Sequence, residues 1–318
     1  MKDFVVDLHG DLFSHFKKDG LDGGTNTFKT YHLDNFKEGN VGLSLFNIWI
    51  EDFENAKNEF KDIIRYGSKE IVNNRDVLNQ VNKYDDIVDN KINYIIGAEG
   101  LDFMEEVEDI YSLYQYGVRL VSLTWNNTNK YCSSITNDVD CGLSDKGRQV
   151  IEIMKILNMI IDISHLSNKA ALEILEDSSY PIIASHSNVR NLASHKRNLS
   201  DELIKKVAAT NGVIGMNSFP LFISDNEEKK NVQGLVEHIN YIKDLVGIEY
   251  VAFGFDFMDY LDDEATSFIE GSSYTDDLKN HSMINNLIVE LEKQGYTNEE
   301  IQMIKQDNAL RVIKDIIK

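Results

Sequence analysis

Phe4-Val5-Val6-Asp7-Leu8-His9-Gly10-Asp11 stands near the start of the chain. An apolar run leads up to His9, and Asp11 follows two residues later. Side chains two apart in an extended strand share a face. The stretch therefore predicts a strand whose end aims an imidazole and a carboxylate at one point, and those are donors that a zinc-type divalent ion takes. The same eight residues also read as a strand followed by an ordinary turn glycine, so the rest of the chain has to decide.

Apolar, β-rich runs recur downstream, each separated from the next by a longer amphipathic or polar stretch. They are Phe4 to His9, Val41 to Ile48 ending in Trp49, Ile92 to Ile96, Val118 to Thr124, Met159 to Ile163, Ile182 to Ser185, Val213 to Asn217 and Tyr250 to Phe253. Between them, residues 55–82, 104–116, 144–157, 168–176, 201–209 and 232–246 read as helices, with Ser144 and Ser200 as N-caps. From about Met283 the tail reads as two or three helices. Eight strands alternating with helices predict a (β/α)8 TIM barrel, as one domain over residues 1–318 with C-terminal helices. A doubly wound open sheet is the alternative, but no Gly-rich dinucleotide turn follows the first strand.

Composition narrows the partners. Of 318 residues, 42% are hydrophobic, which allows a large core, and the formal net charge of −21 repels nucleic acid and anionic membrane surfaces. The N-terminus lacks the apolar core of a signal peptide, and no run reaches the length of a membrane span. The expectation is a cytoplasmic protein. Cys132 and Cys141 share one polar stretch and read as two free thiols rather than a zinc pair. Monomer and homodimer are both left open.

The candidate ligands fall in a common register. His9 and Asp11 end the first run, Glu99 follows the third, His165 the fifth, His186 the sixth and Asp256 the eighth. In a barrel those carboxyl ends meet on one face, where barrel enzymes keep their chemistry. Three of eight histidines sit there, whereas His15, His32, His195, His238 and His281 fall on helices or loops and receive no role. Three imidazoles and two or three carboxylates exceed what one catalytic ion needs. The natural division gives one ion His9 and Asp11 and the other His165 and His186, with Glu99 bridging. Two ions about 3.5–4 Å apart can share a hydroxide that attacks a carbonyl or phosphoryl centre. Asp256 is then free to move protons.

Together these stretches resemble the membrane dipeptidase (renal dipeptidase) family of zinc peptidases. The resemblance rests on Asp7-Leu8-His9-Gly10-Asp11, Gly97-Ala98-Glu99-Gly100, Leu123-Thr124-Trp125-Asn126, Asp162-Ile163-Ser164-His165-Leu166-Ser167, Ile183-Ala184-Ser185-His186-Ser187, Arg197-Asn198-Leu199-Ser200-Asp201 and Gly254-Phe255-Asp256-Phe257. It implies an amidohydrolase-like barrel with two zinc ions per chain. His9, Asp11 and a bridging Glu99 would hold one ion, and Glu99, His165 and His186 the other. Asp256 would handle protons, and Arg197 would grip the C-terminal carboxylate of a dipeptide substrate through its guanidinium fork. Arg190 and Lys196 lie nearby, and the motif alone singles out Arg197.

One position departs from the family pattern. Relatives of the animal enzymes carry a substrate-binding histidine after Leu-Thr, where this chain has Trp125 followed by Asn126 and Asn127. An indole donates one hydrogen bond and accepts no proton. Either Trp125 and Asn126 take over the substrate contact, or Trp125 packs the pocket wall and the metals polarise the carbonyl alone. Two other functions stay in view: hydrolysis of a different amide, lactam or ester on the same scaffold, and a non-catalytic binding member. The acidic segment 259–264 reads as a solvated loop or part of a lid.

Overall fold

Eight parallel strands form a barrel, and a ninth pairs beside it, in the computed structural model, which describes residues 3–176, 178–261 and 271–318. They are β1 (Val5–Asp7), β2 (Val41–Trp49), β3 (Leu78–Gln80), β4 (Ile92–Glu99), β5 (Val118–Ser122), β6 (Ile160–Asp162), β7 (Ile182–Ile183), β8 (Ile214–Met216) and β9 (Val251–Phe253). The order runs β7-β6-β5-β4-β2-β1-β9-β8, and Ala184 bridges to Ile214 to bring β7 back to β8. The short β3 lies beside the first residues of β4. Continuous apolar runs suit strands buried on both faces, as a parallel barrel demands.

Two layers of core follow from that burial. Residues such as Val6, Leu43, Leu45, Ile95, Leu120 and Val213 pack with Leu310, Ile313 and Ile316 of the C-terminal helix Asn308–Ile316. That helix thereby stops the end of the barrel at which the strands begin. The opposite residues of the strands pack against the surrounding helices. The face at which the strands end is left for polar side chains.

Some boundaries differ from the sequence reading. The helix expected over 55–82 is Ala56–Asn73, because Asn73, Asn74 and Asp76 are poor helix formers and the Asn74 amide caps back onto Glu70 O; β3 follows. The helix expected over 104–116 starts only at Asp109 and ends as expected at Tyr116, where Gly117, with φ of 112°, makes the left-handed C-terminal turn. Ser144, Ser167 and Ser200 cap their helices by accepting backbone N–H bonds. Helices Leu12–Leu21 and Leu33–Glu38 lie in a stretch that gave no helix in the sequence. Of the acidic segment, Asp262, Asp263 and Glu264 lie outside the described residues. Cys132 is buried, Cys141 exposed, and both are free thiols. Among the described residues no helix is long and apolar enough to cross a membrane.

The loop after β7 is pinned from below by His238, which is fully buried. Its Nδ1 accepts the Val189 N–H at 3.0 Å, and its Nε2–H donates to Ile223 O at 2.7 Å. Both nitrogens are committed in the neutral ring, and burial lowers its pKa to about 4. The unfolded chain binds this proton near pH 6.5, so stability is lost as pH falls from about 6.5 to 4. For this residue the loss is about 3 kcal/mol at the acid end. His238→Gln should flatten the pH dependence of unfolding free energy across that window by one proton, as denaturant titrations at stepped pH would reveal.

Candidate metal centre

His9 and Asp11 converge, but not by strand alternation. β1 ends at Asp7, and the two residues sit on the turn that leads into helix Leu12–Leu21, where Asp11 is the N-cap. Its carboxylate makes no capping bond and instead lies 3.5 Å from His9 Nε2. Asp7 holds this turn from beneath. One oxygen accepts the N–H groups of His9 (3.3 Å) and Phe255 (2.9 Å), and the other takes a bond from His281 Nε2 at 2.8 Å. A single buried carboxylate thus ties the segment bearing His9 to the one bearing Asp256.

Glu99, the last residue of β4 and 3% exposed, stands at the centre. Its Oε1 lies 3.1 Å from His165 Nε2 and 3.3 Å from His186 Nε2, and its Oε2 lies 3.7 Å from His9 Nε2. Asp256 Oδ1 approaches His9 Nε2 from the other side at 3.7 Å, while Asn217 donates to Asp256 Oδ2 at 3.0 Å. His165 and Asp256 both have left-handed backbones, with φ of 68° and 59°. Such positions in non-glycine residues are strained and gather at functional sites.

The outer nitrogens of the imidazoles are all engaged. Asn47, in the middle of β2, lies 2.8 Å from His9 Nδ1. Gly97 makes room for it, since a Cβ there would overlap Asn47 Oδ1. His165 Nδ1 donates to Asn126 Oδ1 at 3.0 Å, and His186 Nδ1 meets Ser185 Oγ at 2.7 Å.

These bonds leave a donor set that fits cations. With their Nδ1 protons given away, His165 and His186 face each other through bare Nε2 atoms 3.0 Å apart, both against Glu99 Oε1. Glu99 Oε1 and Asp11 Oδ1 are buried and accept no hydrogen bond. Three lone-pair atoms at such separations repel unless a cation lies among them. His9, Glu99 and His186 form one group whose ligand atoms lie within 4.8 Å of one another, and His9, Asp11 and Asp256 another. Burial lowers the pKa of His165 and His186, keeping them neutral as ligands must be. Burial also lowers that of His9, but the charges of Glu99 and Asp11 outweigh it and lift the value to about 10. Without an ion, a proton on His9 offsets the carboxylates. Burial pushes Glu99 well up, and raises Asp256 to about 6 against the pull of His9.

A cavity of about 390 Å³ opens over this cluster. Arg197 lines it, 5% exposed, with one Nη donating to His186 O at 3.3 Å and its Nε buried without a partner. Its guanidinium sits over the Phe222 ring at 5.6 Å. Trp125 lines the opposite wall with its ring 4.9 Å from Trp49, so the aromatic wall is present. Asn126 lines the cavity too, but its amide oxygen is already committed to His165. His195, given no role in the sequence, also lines the cavity and accepts the Arg197 N–H at 3.2 Å.

All nine residues singled out by sequence therefore lie around one cavity. Sequence reasoning missed Asn47, Trp49, Phe222, Ser185 and Asp162. Two had a visible signal, because Asn47 interrupts an apolar strand and Asp162 ends one, and a polar residue in a buried strand needs a partner.

Comparison with known proteins bears on the family and the fold. A family model described as membrane dipeptidase (peptidase family M19) matches residues 1–318. Dipeptidase tcpJ of Claviceps purpurea is 26% identical, covering 89% of this chain and 68% of the relative. Mouse Dipeptidase 3 is 27% identical over 99% of this chain and 65% of its own. The chain thus spans about two thirds of the length of these relatives. A metallo peptidase from Rhodobacter sphaeroides, solved with a phosphinate mimic of the dipeptide L-Ala-D-Ala, superimposes with a TM-score of 0.85. It covers 99% of this chain and 100% of its own, and at 16% identity the likeness is one of fold.

Proposed function

The chain belongs to the membrane dipeptidase family of metal-dependent hydrolases, and from that premise we propose that it cleaves the peptide bond of dipeptides at a centre of two zinc ions. The observation that carries the reading is Glu99, whose Oε2 faces His9 while its Oε1 faces His165 and His186. His9 and Asp11 would hold one ion, His165 and His186 the other, with Glu99 shared. Zinc held there supplies Lewis-acid polarisation of the carbonyl and a nucleophilic water at neutral pH. The protein's own groups do the rest. Arg197 pairs with the substrate's C-terminal carboxylate and sets the distance from that end to the cluster. Asp256 accepts the water's proton and returns it to the leaving amine. Trp49 and Trp125 exclude solvent from one wall.

Metal quantification and dipeptide turnover on one sample test this directly. About two zinc ions per chain should accompany hydrolysis, and chelation should abolish it. The substrate panel should include dipeptides with a D-residue second, as the phosphinate mimic of the Rhodobacter structure suggests, beside acylamino acids and lactones. Far fewer than two ions, or turnover of acylamino acids and lactones but not of dipeptides, would overturn the reading.

Arg197 gives a sharper check. A charged, hydrogen-bonded contact is worth about 1.5–3 kcal/mol. Arg197→Ala should therefore lower kcat/KM for a free dipeptide by roughly ten- to 150-fold. Arg197→Lys should recover only part, because an ammonium lacks the fork. A C-terminally amidated dipeptide should be a poor substrate that the mutation barely affects. Equal losses on free and amidated substrates would mean that Arg197 does not read the carboxylate.

A further inference from the structure

The three imidazoles are backed differently. His9 and His165 meet neutral amides, from Asn47 and Asn126. His186 meets the Ser185 hydroxyl, and that hydroxyl donates its proton to Asp162 Oδ2. All three members of this chain are buried, at 2% exposure or less. The other oxygen of Asp162 accepts two backbone bonds, from Ser164 N and Ser185 N, each at 2.9 Å. Its orientation is therefore fixed, with Oδ1 toward two N–H donors and Oδ2 toward the hydroxyl.

That fixed orientation sets a direction for every proton in the chain. A serine hydroxyl has one proton, and here the carboxylate takes it. Only lone pairs of Ser185 Oγ remain for His186, so His186 Nδ1 must carry the ring proton and Nε2 is left bare, 3.3 Å from Glu99 Oε1. Partners beyond the ligands commonly fix the tautomer of a metal-binding histidine.

We infer that Asp162 and Ser185 are positioning residues, a carboxylate–hydroxyl relay that holds His186 in its metal-binding tautomer. The inference rests on the two-ion reading for its consequence, whereas the relay itself is read from the hydrogen bonds of Asp162 and Ser185.

Two substitutions separate this from mere support of the strand ends. In Asp162→Asn the amide oxygen has to stay with the two backbone N–H groups, because the reverse orientation would point N–H at N–H. The amide nitrogen then faces Ser185 and donates to it, the hydroxyl turns its proton toward His186 Nδ1, and the ring is driven to the Nε2–H form, which cannot ligate. Ser185→Ala only removes the direction and keeps the backbone clamp. The substitution that deletes no heavy atom should therefore be the more harmful.

Zinc titration of the metal-free protein should find one of the two ions weakened roughly tenfold by Ser185→Ala and roughly 100-fold by Asp162→Asn, the span typical of such outer partners. Nitrogen-15 shifts of His186 in the metal-free protein should report Nδ1–H in the native chain and Nε2–H in Asp162→Asn. Native zinc affinities in Asp162→Asn, or an unchanged Nδ1–H tautomer there, would overturn the relay. A native protein that takes up no zinc would instead sink the two-ion reading, and the nitrogen shifts would still judge the relay.

Discussion

Glu99→Gln should yield a folded barrel that hydrolyses no dipeptide above background, a fall of more than about 10³-fold, or over about 4 kcal/mol of transition-state stabilisation. Glu99 pairs in register with Trp49 on one side and Ser122 on the other, so its backbone is fixed by β2 and β5 whatever its side chain is. Its carboxylate faces His9 with one oxygen and His165 and His186 with the other. Glutamine keeps the shape, but it presents one oxygen and an NH2, and the NH2 would occupy one of the places where a lone pair is required. Stability should move the other way. In the metal-free protein the buried carboxylate is costly, as its raised pKa records, so Glu99→Gln should melt at or above the temperature of metal-free native protein. Zinc should then raise the melting temperature of the native chain, as any ligand of the folded state does, and raise that of the variant much less. Two tightly held ions with near-normal turnover in Glu99→Gln would refute the shared role.

The parts of this protein that sequence made legible are those written in local pattern. Mostly apolar runs such as Ile92 to Ile96 mark strands because burial on both faces favours apolar residues, and polar residues one to three positions past the third, fifth, sixth and eighth runs fall at the open end of the barrel. That is why the positions of Glu99, His165, His186 and Asp256 are legible in the sequence. What stayed hidden is either weakly periodic or long-range. Helix Leu12–Leu21 carries Ser14, His15, Lys17, Lys18 and Asp19 among its apolar residues, and β3 is three residues long. The Asp7–His281 bond joins residues 274 apart, and the Asp162–Ser185 bond joins strands through side chains no spacing rule connects. Asp7 and Asp162 nevertheless play matching parts. Each ends a strand, and each accepts an N–H from two residues on and another from the neighbouring strand end. The candidate ligands are positioned by carboxylates that do not themselves line the cavity.

Asp256→Asn should separate proton handling from metal binding, with most zinc retained and kcat lower by roughly 10²–10⁴-fold, the usual worth of a positioned acid–base group. The substitution suits the site. Asp256 sits at φ 59°, a conformation that asparagine tolerates nearly as well as aspartate, and the Asn217 amide can still bond to the retained oxygen. Burial raises the Asp256 carboxyl to about 6 in the metal-free protein, with His9 pulling it back. Bound cations stabilise the ionised form and draw the value lower still. If the ionised carboxylate takes the proton, turnover should fall as pH drops through its pKa, so the native acidic limb should lie at or below about pH 6. The residual activity of Asp256→Asn should lack that limb. A competing role exists, because His9, Asp11 and Asp256 also form a group with metal-binding spacing. A ligand and a proton carrier respond differently. Loss of one ion from Asp256→Asn, with kcat recovering at high zinc concentration, would make Asp256 a ligand, whereas a slow enzyme with both ions bound and a flattened acidic limb leaves it as the group that moves the proton.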